Sequence, residues 1–263
     1  MSVIYEPKGM ALEYAPLACN LYSGCTHGCT YCYAPACLRM QPKDFHARTS
    51  LRKTVLSELE KEAPKYVKQN KRVLFSFTSD AYQPEETGDT RTALKIMRNA
   101  GCPFQILTKG GTRATRDFDL YTKQDAFGST VLFTDDNDRK TWEPNAANIN
   151  DRIEAIKIAH SQCIYTWVSI EPVINAGQAI QLIKEYSGIV NEWKIGKLNH
   201  HPHAKTINWY DFAAMLYDTL QTVNSNYMIK DSLHSFLPKG AVTTRYAETI
   251  SQVEPERQLA LFI

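Results

Sequence analysis

Asn20-Leu-Tyr-Ser-Gly-Cys25-Thr-His-Gly-Cys29-Thr-Tyr-Cys32-Tyr-Ala34 is the stretch from which the rest of the chain can be read. Its three thiols are spaced C-x3-C-x2-C, close enough for one tight loop to present them together. Such a triplet can ligate three irons of a cubane while the fourth iron keeps no protein ligand. Gly24 and Gly28 suit a loop that bends sharply and brings its backbone close to inorganic sulfide, where a Cβ would clash. Five of the seven cysteines (19, 25, 29, 32 and 37) crowd into this region. In a reducing compartment that crowding reads as metal or cluster ligation, not as a disulfide framework. Tetrahedral zinc remains an alternative, with Cys19, Cys37 or His27 as fourth ligand, although zinc knuckles usually come as two separated pairs.

Working outward, the loop follows a short apolar stretch, which places it at the C-terminal end of a first strand. That end carries the chemistry in barrel-like α/β folds. From about residue 70, short apolar or β-branched runs alternate with stretches of helical period, the pattern of repeated βα units around a parallel sheet. Strands are predicted at Val73–Phe77, Phe104–Thr108, Thr130–Thr134, Ile164–Ile170, Trp193–Ile195 and Tyr227–Ile229. Helices are predicted at Leu51–Glu62, Ala146–His160, Ala176–Tyr186 and Trp209–Val223. Another begins at Asp89 or Thr90, which can cap free N–H groups, and stops at Gly101, with Pro103 blocking continuation. No repeat or flexible linker interrupts the βα rhythm, so residues 1–240 read as one domain and 241–263 as a C-terminal tail.

Polar residues fall where these strands end, and in a barrel they would point into the mouth. Ser79 and Asp80 follow the second strand, Lys109 the third, Thr134 the fourth. Glu171, held before Pro172, ends the fifth. The cluster Lys194-Ile-Gly-Lys197-Leu-Asn199-His200-His201-Pro-His203 ends the sixth.

The sequence resembles the radical S-adenosylmethionine (SAM) superfamily, whose motif C-x3-C-x-aromatic-C is matched in full, with Tyr31 at the aromatic position. Over roughly residues 15–200 it looks like the branch containing spore photoproduct lyase. That likeness rests on Cys32-Tyr-Ala34, Thr78-Ser-Asp80-x-Tyr-Gln-Pro-Glu85, Ile106-Leu-Thr-Lys109 and Glu143-Pro144. The resemblance implies an α/β fold, a partial (β/α)6 barrel of TIM type with parallel strands and the cluster loop after the first. It implies a [4Fe–4S] cluster on Cys25, Cys29 and Cys32, whose open iron chelates SAM, and reductive cleavage to a 5′-deoxyadenosyl radical. Tyr31 would lie near the adenine, the strand-end residues Ser79, Asp80, Lys109, Thr134 and Glu171 would supply the other cofactor contacts, and among them Ser79, Lys109 and Thr134 match relatives' cofactor contacts. The reaction needs an electron donor such as flavodoxin or ferredoxin, and the branch points to a DNA, RNA or nucleotide substrate. One departure matters: the lyase draws hydrogen from a cysteine one residue before the Thr-Ser-Asp motif, and here that residue is Phe77.

Composition adds little. Net charge is +2 over 263 residues, so nothing demands a polyanionic partner, although residues 1–78 carry 11 Lys+Arg against 6 Asp+Glu. Lys61, Lys65, Lys68, Lys71 and Arg72 concentrate that charge after a helix that Pro64 would interrupt, in a segment read as exposed. No secretory leader and no apolar run of membrane-spanning length is visible, and a soluble cytoplasmic protein is expected. A zinc-stapled nucleic-acid-binding module without catalysis is the alternative from another functional class.

Overall fold

A computed structural model of the chain describes residues 2–85 and 88–245. Its strands are β1 (Ile4–Tyr5), β2 (Leu17–Cys19), β3 (Tyr22–Ser23), β4 (Ser50–Leu51), β5 (Val73–Phe75), β6 (Phe104–Thr108), β7 (Ala126–Thr130), β8 (Tyr165–Val173), β9 (Glu192–Lys197), β10 (Asn226–Ile229) and β11 (Thr244–Arg245). Its helices are α1 (Ala34–Cys37), α2 (Pro42–Ala47), α3 (Val55–Tyr66), α4 (Asp89–Ala100), α5 (Asp136–Trp142), α6 (Ile149–Ser161), α7 (Ala176–Tyr186), α8 (Trp209–Thr222) and α9 (Asp231–His234). Strands β2, β5, β6, β7, β8, β9 and β10 pair in that order, all parallel. β1 and β11 add antiparallel at the two edges, and β3 with β4 forms a separate ribbon.

Side-chain alternation sorts each strand onto two faces. Leu17, Cys19, Val73, Phe75, Phe104, Ile106, Phe127, Val168, Ile170, Trp193 and Ile195 join the large core with residues of the helices. The alternate positions Leu74, Ala126 and Trp167 form a smaller inner core with Ala15. That inner face is concave. β6 and β9 are three strands apart, roughly 14 Å on a flat sheet, yet Gln105 and Lys194 both reach the Tyr14 carbonyl, at 3.3 and 2.9 Å. The interior is also filled tightly. Gly128 lies directly opposite Trp167, and a Cβ on it would come within 2.3 Å of the indole.

Helix starts follow the sequence closely. Asn148, Asn175 and Asn208 accept backbone N–H groups at the first turns of α6, α7 and α8. Gly101, at φ +71°, closes α4 in the left-handed conformation that glycine adopts without Cβ strain. Thr90 does not cap that helix. Its hydroxyl bonds the Ala81 carbonyl at 2.6 Å, and Gly88 occupies the capping position.

The structure corrects several expectations. Seven parallel strands are present, the one expected before the cysteine loop and the six after it, though not all with the expected bounds. The strand expected at Thr130–Thr134 is Ala126–Thr130: Val131, Leu132 and Phe133 carry the apolar signal because they are buried, but they have left the ladder. Leu51 pairs with Tyr22 instead of opening a helix, which begins at Val55 and continues past Pro64 to Tyr66. Thr244–Arg245, expected in the tail, pair with β10. The Arg245 guanidinium donates to the Leu220 carbonyl in the last turn of α8 and to the Val223 and Ser225 carbonyls beyond it. The remainder of the expected tail, 246–263, lies outside the described residues. Among those described, no helix is long and apolar enough to cross a membrane.

Candidate functional site

The parallel register gathers the C-terminal strand ends on one side, and the loop 20–33 emerges there after β2. Its backbone is held from both flanks. On one, the Cys25 N–H donates to the Phe45 carbonyl (3.1 Å), His46 Nδ1 bonds the Cys25 carbonyl (2.8 Å), and the Thr49 hydroxyl donates to the Gly24 carbonyl (3.0 Å). On the other, the Ser79 hydroxyl donates to the Gly24 carbonyl (2.6 Å), Gln83 accepts the Thr26 N–H (2.7 Å), and the Asn145 amide donates to the Thr26 carbonyl (2.9 Å). Gly24 sits at φ +78°, and a Cβ there would lie 2.1 Å from the Arg48 carbonyl oxygen, so only glycine fits this closure.

Cys25, Cys29 and Cys32 are free and partly exposed. Burial pushes the Cys29 thiol up to about 12 and raises Cys25 and Cys32 as well. Among the described residues no three His, Cys, Asp or Glu side chains converge on a point that a single ion would occupy. Cys19 is buried in the sheet–helix core, Cys37 is exposed on α1, and His27 is buried with Nδ1 3.5 Å from Asp80. Three free thiols on one tightly pinned loop fit an open-cornered cubane.

Beside the loop lies a buried charge cluster. The Tyr31 hydroxyl donates to Glu143 Oε1, and Arg152 Nη1 lies 2.5 Å from Glu143 Oε2, both charged side chains fully buried. Burial alone would raise the Glu143 carboxyl, but Arg152 and Lys109 hold it below the ordinary glutamate value. The Lys109 ammonium is 3.9 Å from Glu143 and 5.7 Å from the Tyr31 ring centroid. Arg152 also donates to the Thr130 and Ala147 carbonyls, tying α6 to the end of β7. The arrangement presents an aromatic ring and a partly accessible cation next to the thiols.

The other expected residues divide by what they touch. The Ser79 hydroxyl is spent on the Gly24 carbonyl. Asp80 is buried and accepts from the Thr108 hydroxyl (2.6 Å) and from the Lys109 and Tyr82 N–H groups (2.7 and 2.8 Å), so its carboxylate organises the strand ends. Thr134 lies beyond the end of β7 and points away: its hydroxyl bonds Gln181 of α7, because the strand stops four residues earlier than the apolar pattern implied. Glu171 does reach the mouth, where it receives the Lys230 ammonium at 2.8 Å and lies across Gly196. His201 and His203 flank the Trp142 ring at 5.1 Å each, and the Trp142 carbonyl accepts the Thr30 N–H. The histidine loop thus meets the cysteine loop through Trp142 at the end of α5.

Several residues were not singled out from sequence. Glu143 stood in a recognised motif but without a role, and Arg152 was read only as part of a helix. Lys230 ends the last parallel strand, so the rule that found Lys109 would have found it too. Tyr14 precedes the first strand and gave no signal. Its hydroxyl bonds Ser169 (2.7 Å), its ring meets Phe77 edge-on at 6.1 Å, and the Lys230 ammonium lies 4.2 Å from its centroid. The basic stretch Lys61–Arg72 precedes β5, at the opposite end of the sheet from the cysteines.

A parallel α/β sheet that carries a three-cysteine loop at its strand ends defines a class of cluster-dependent enzyme. The profile of the Radical SAM superfamily matches residues 19–179, and the chain belongs to that superfamily. Membership brings the [4Fe–4S] cluster and SAM as cofactors. An uncharacterized protein of Methanocaldococcus jannaschii is 30% identical over 159 residues, 59% of either chain. An uncharacterized protein of Acidianus two-tailed virus is 24% identical over 182 residues, 64% of this chain and 59% of its own. The match thus spans about six-tenths of each relative's length. Among solved structures, spore photoproduct lyase with bound AdoMet and dinucleoside spore photoproduct superposes with TM-score 0.59 at 14% identity, covering 84% of this chain and 64% of the lyase. Streptococcus suis SuiB bound to S-adenosylmethionine gives TM-score 0.59 at 11% identity, over 81% of this chain and 46% of SuiB. At such identities these likenesses concern the fold alone.

Proposed function

We propose that the chain holds its cluster on Cys25, Cys29 and Cys32 and acts on a nucleic acid or nucleotide substrate, as a modification or lyase-type enzyme. The observation that carries this reading is the loop itself: three free thiols pinned beside Tyr31 and Lys109. When bound, the cluster and SAM supply an electron and a 5′-deoxyadenosyl radical that takes hydrogen from an unactivated C–H bond. The chain's own residues do the positioning. Gly24, Ser79 and Gln83 hold the loop, Glu143 orients the Tyr31 ring through its hydroxyl, and Lys109 offers a cation to the carboxylate end of the cofactor. Asp80 holds the Lys109 backbone in place, and Glu171 with Lys230 lines the substrate side.

A base-bearing substrate is supported by the aromatic lining of the mouth. Tyr14 and Phe77 meet edge-on, and Tyr33, 54% exposed, donates its hydroxyl to the Phe77 carbonyl at 2.8 Å. Stacking on such rings is worth about 1–3 kcal/mol per base. Phe77 supplies no thiol hydrogen, so spore photoproduct repair itself is not the activity we assign. Anaerobic reconstitution with iron and sulfide, then reductant and SAM, should yield 5′-deoxyadenosine. With C–H positions of DNA, RNA and nucleotide pools deuterated, the label should enter that product from one of them. Undiminished 5′-deoxyadenosine from a Cys25/Cys29/Cys32 triple-Ala variant would sink the cluster assignment, and label transfer only from peptides would sink the substrate class.

A further inference from the structure

If the cluster sits on Cys25, Cys29 and Cys32, an electron must enter it from a carrier outside the chain. Electron transfer falls steeply with distance, so entry belongs where the cover over the loop is thinnest. On its inner flank the loop is backed by Ser79, Gln83, Lys109 and Tyr31 and then by the barrel. On its outer flank lie the short helices α1 and α2. α1 starts two residues after Cys32, and the α2 residues Phe45 and His46 bond directly to the backbone of Cys25.

The surface of that wall is unusual. Leu38 and Met40 are 44% and 42% exposed and stand beside exposed Tyr33. Arg39, Lys43, Arg48, Arg52 and Lys53, on and just after α1 and α2, are all exposed, and Asp44 is the one acidic residue between positions 33 and 54. Exposed apolar side chains in a segment this rich in cations suit the steering and seating of an anionic protein partner. Electron-transfer encounters need only a small contact, below about 1,200 Å². A strand of nucleic acid would use the cations but gain little from Leu38 and Met40, since bases stack on aromatic faces and not on aliphatic chains.

We propose that the α1–α2 face is the docking surface for a small acidic electron-carrier protein whose redox group is ringed by apolar surface. One electron passes from the reduced carrier to the oxidised cluster. The carrier is oxidised by one equivalent, the cluster reduced by one, and no covalent bond forms or breaks. The proposal rests on the cysteine loop being the cluster site, so its test separates the two.

The reconstituted full chain is compared with an Arg39→Glu/Lys43→Glu/Arg48→Glu variant, using reduced flavodoxin or dithionite as electron source. Flavodoxin binding is measured directly by calorimetry at low and high salt. We expect flavodoxin-driven 5′-deoxyadenosine formation to fall about tenfold or more while the dithionite-driven rate holds, with weaker binding whose deficit closes as salt screens the charges. A Leu38→Glu variant, which keeps the cations, should lose binding in the same way and serves if the triple variant does not fold. Lys65→Glu/Lys68→Glu/Lys71→Glu, at the other end of the sheet, should change neither rate. Unchanged flavodoxin binding in the α1–α2 variants overturns the proposal, as does an equal loss in the distant variant. A parallel loss of the dithionite-driven rate with nucleic acid present assigns the face to substrate and overturns it too. Failure of wild type with dithionite would instead remove the cluster reading, while flavodoxin binding still reports on the face.

Discussion

Arg152 and Glu143 show what one buried pair can decide. Both are removed from water, and their attraction compensates only while both remain. Arg152→Ala leaves the buried Glu143 carboxylate with only the more distant Lys109 as counter-charge, and urea unfolding should register a loss of about 3–5 kcal/mol. The same substitution frees Tyr31, so SAM affinity of the reconstituted protein should fall as well. Glu62 offers a pH-dependent case. Burial would raise its carboxyl, but the Ile4 N–H, the Ser2 hydroxyl and the Val3 N–H, at 2.9, 2.7 and 3.0 Å, hold it below the ordinary glutamate value. A lowered folded value means its stabilisation is complete above the unfolded glutamate value, near pH 4.5, and disappears as pH falls through the folded one. Glu62→Gln should therefore cost about 1–3 kcal/mol at neutral pH. The difference from wild type should vanish in acid-titrated unfolding curves. Among the cysteines, Ala substitution of Cys19, Cys37, Cys102 or Cys163 should leave the cluster's visible absorbance in place.

At the scale of elements, the pairing of β7 with β8 depends on a missing side chain. Gly128→Ala forces the Trp167 indole or the strand to move, and thermal or urea unfolding should show a loss of about 1–3 kcal/mol from overpacking. Gly188, with nothing within 4 Å of its Cβ position, is the control and should tolerate Ala with little change. The elements also show where local patterns are sufficient. Ala176–Tyr186 coincides with α7 because its period, its Asn175 cap and its packing agree. Thr130–Thr134 failed as a strand because burial and ladder pairing parted company after Thr130. Leu51 failed as a helix start because its partner, Tyr22, is remote in sequence, and no local window contains that pairing.

Over the whole molecule, the cysteine loop is coupled to several strand ends, so loading the site should stabilise more than the loop. SAM binding to reconstituted protein, at a hundredfold excess over its Kd, adds about 2.7 kcal/mol. Thermal melts should shift upward accordingly and return when the cluster is stripped by oxidation and chelation. What the sequence determined alone was the part encoded at short range. The C-x3-C-x2-C spacing, the glycines that let the loop close, the βα rhythm and the polar residues at strand ends are all contained in short windows. Three-dimensional structure decided which of those polar residues face the mouth. Asp80 is consumed by Thr108 and by the Lys109 and Tyr82 amides, Thr134 by α7, whereas Glu171 meets Lys230, fifty-nine positions away. A side chain's task is set by which donors and charges surround it, and in a parallel sheet those neighbours come from strands separated in sequence by whole helices.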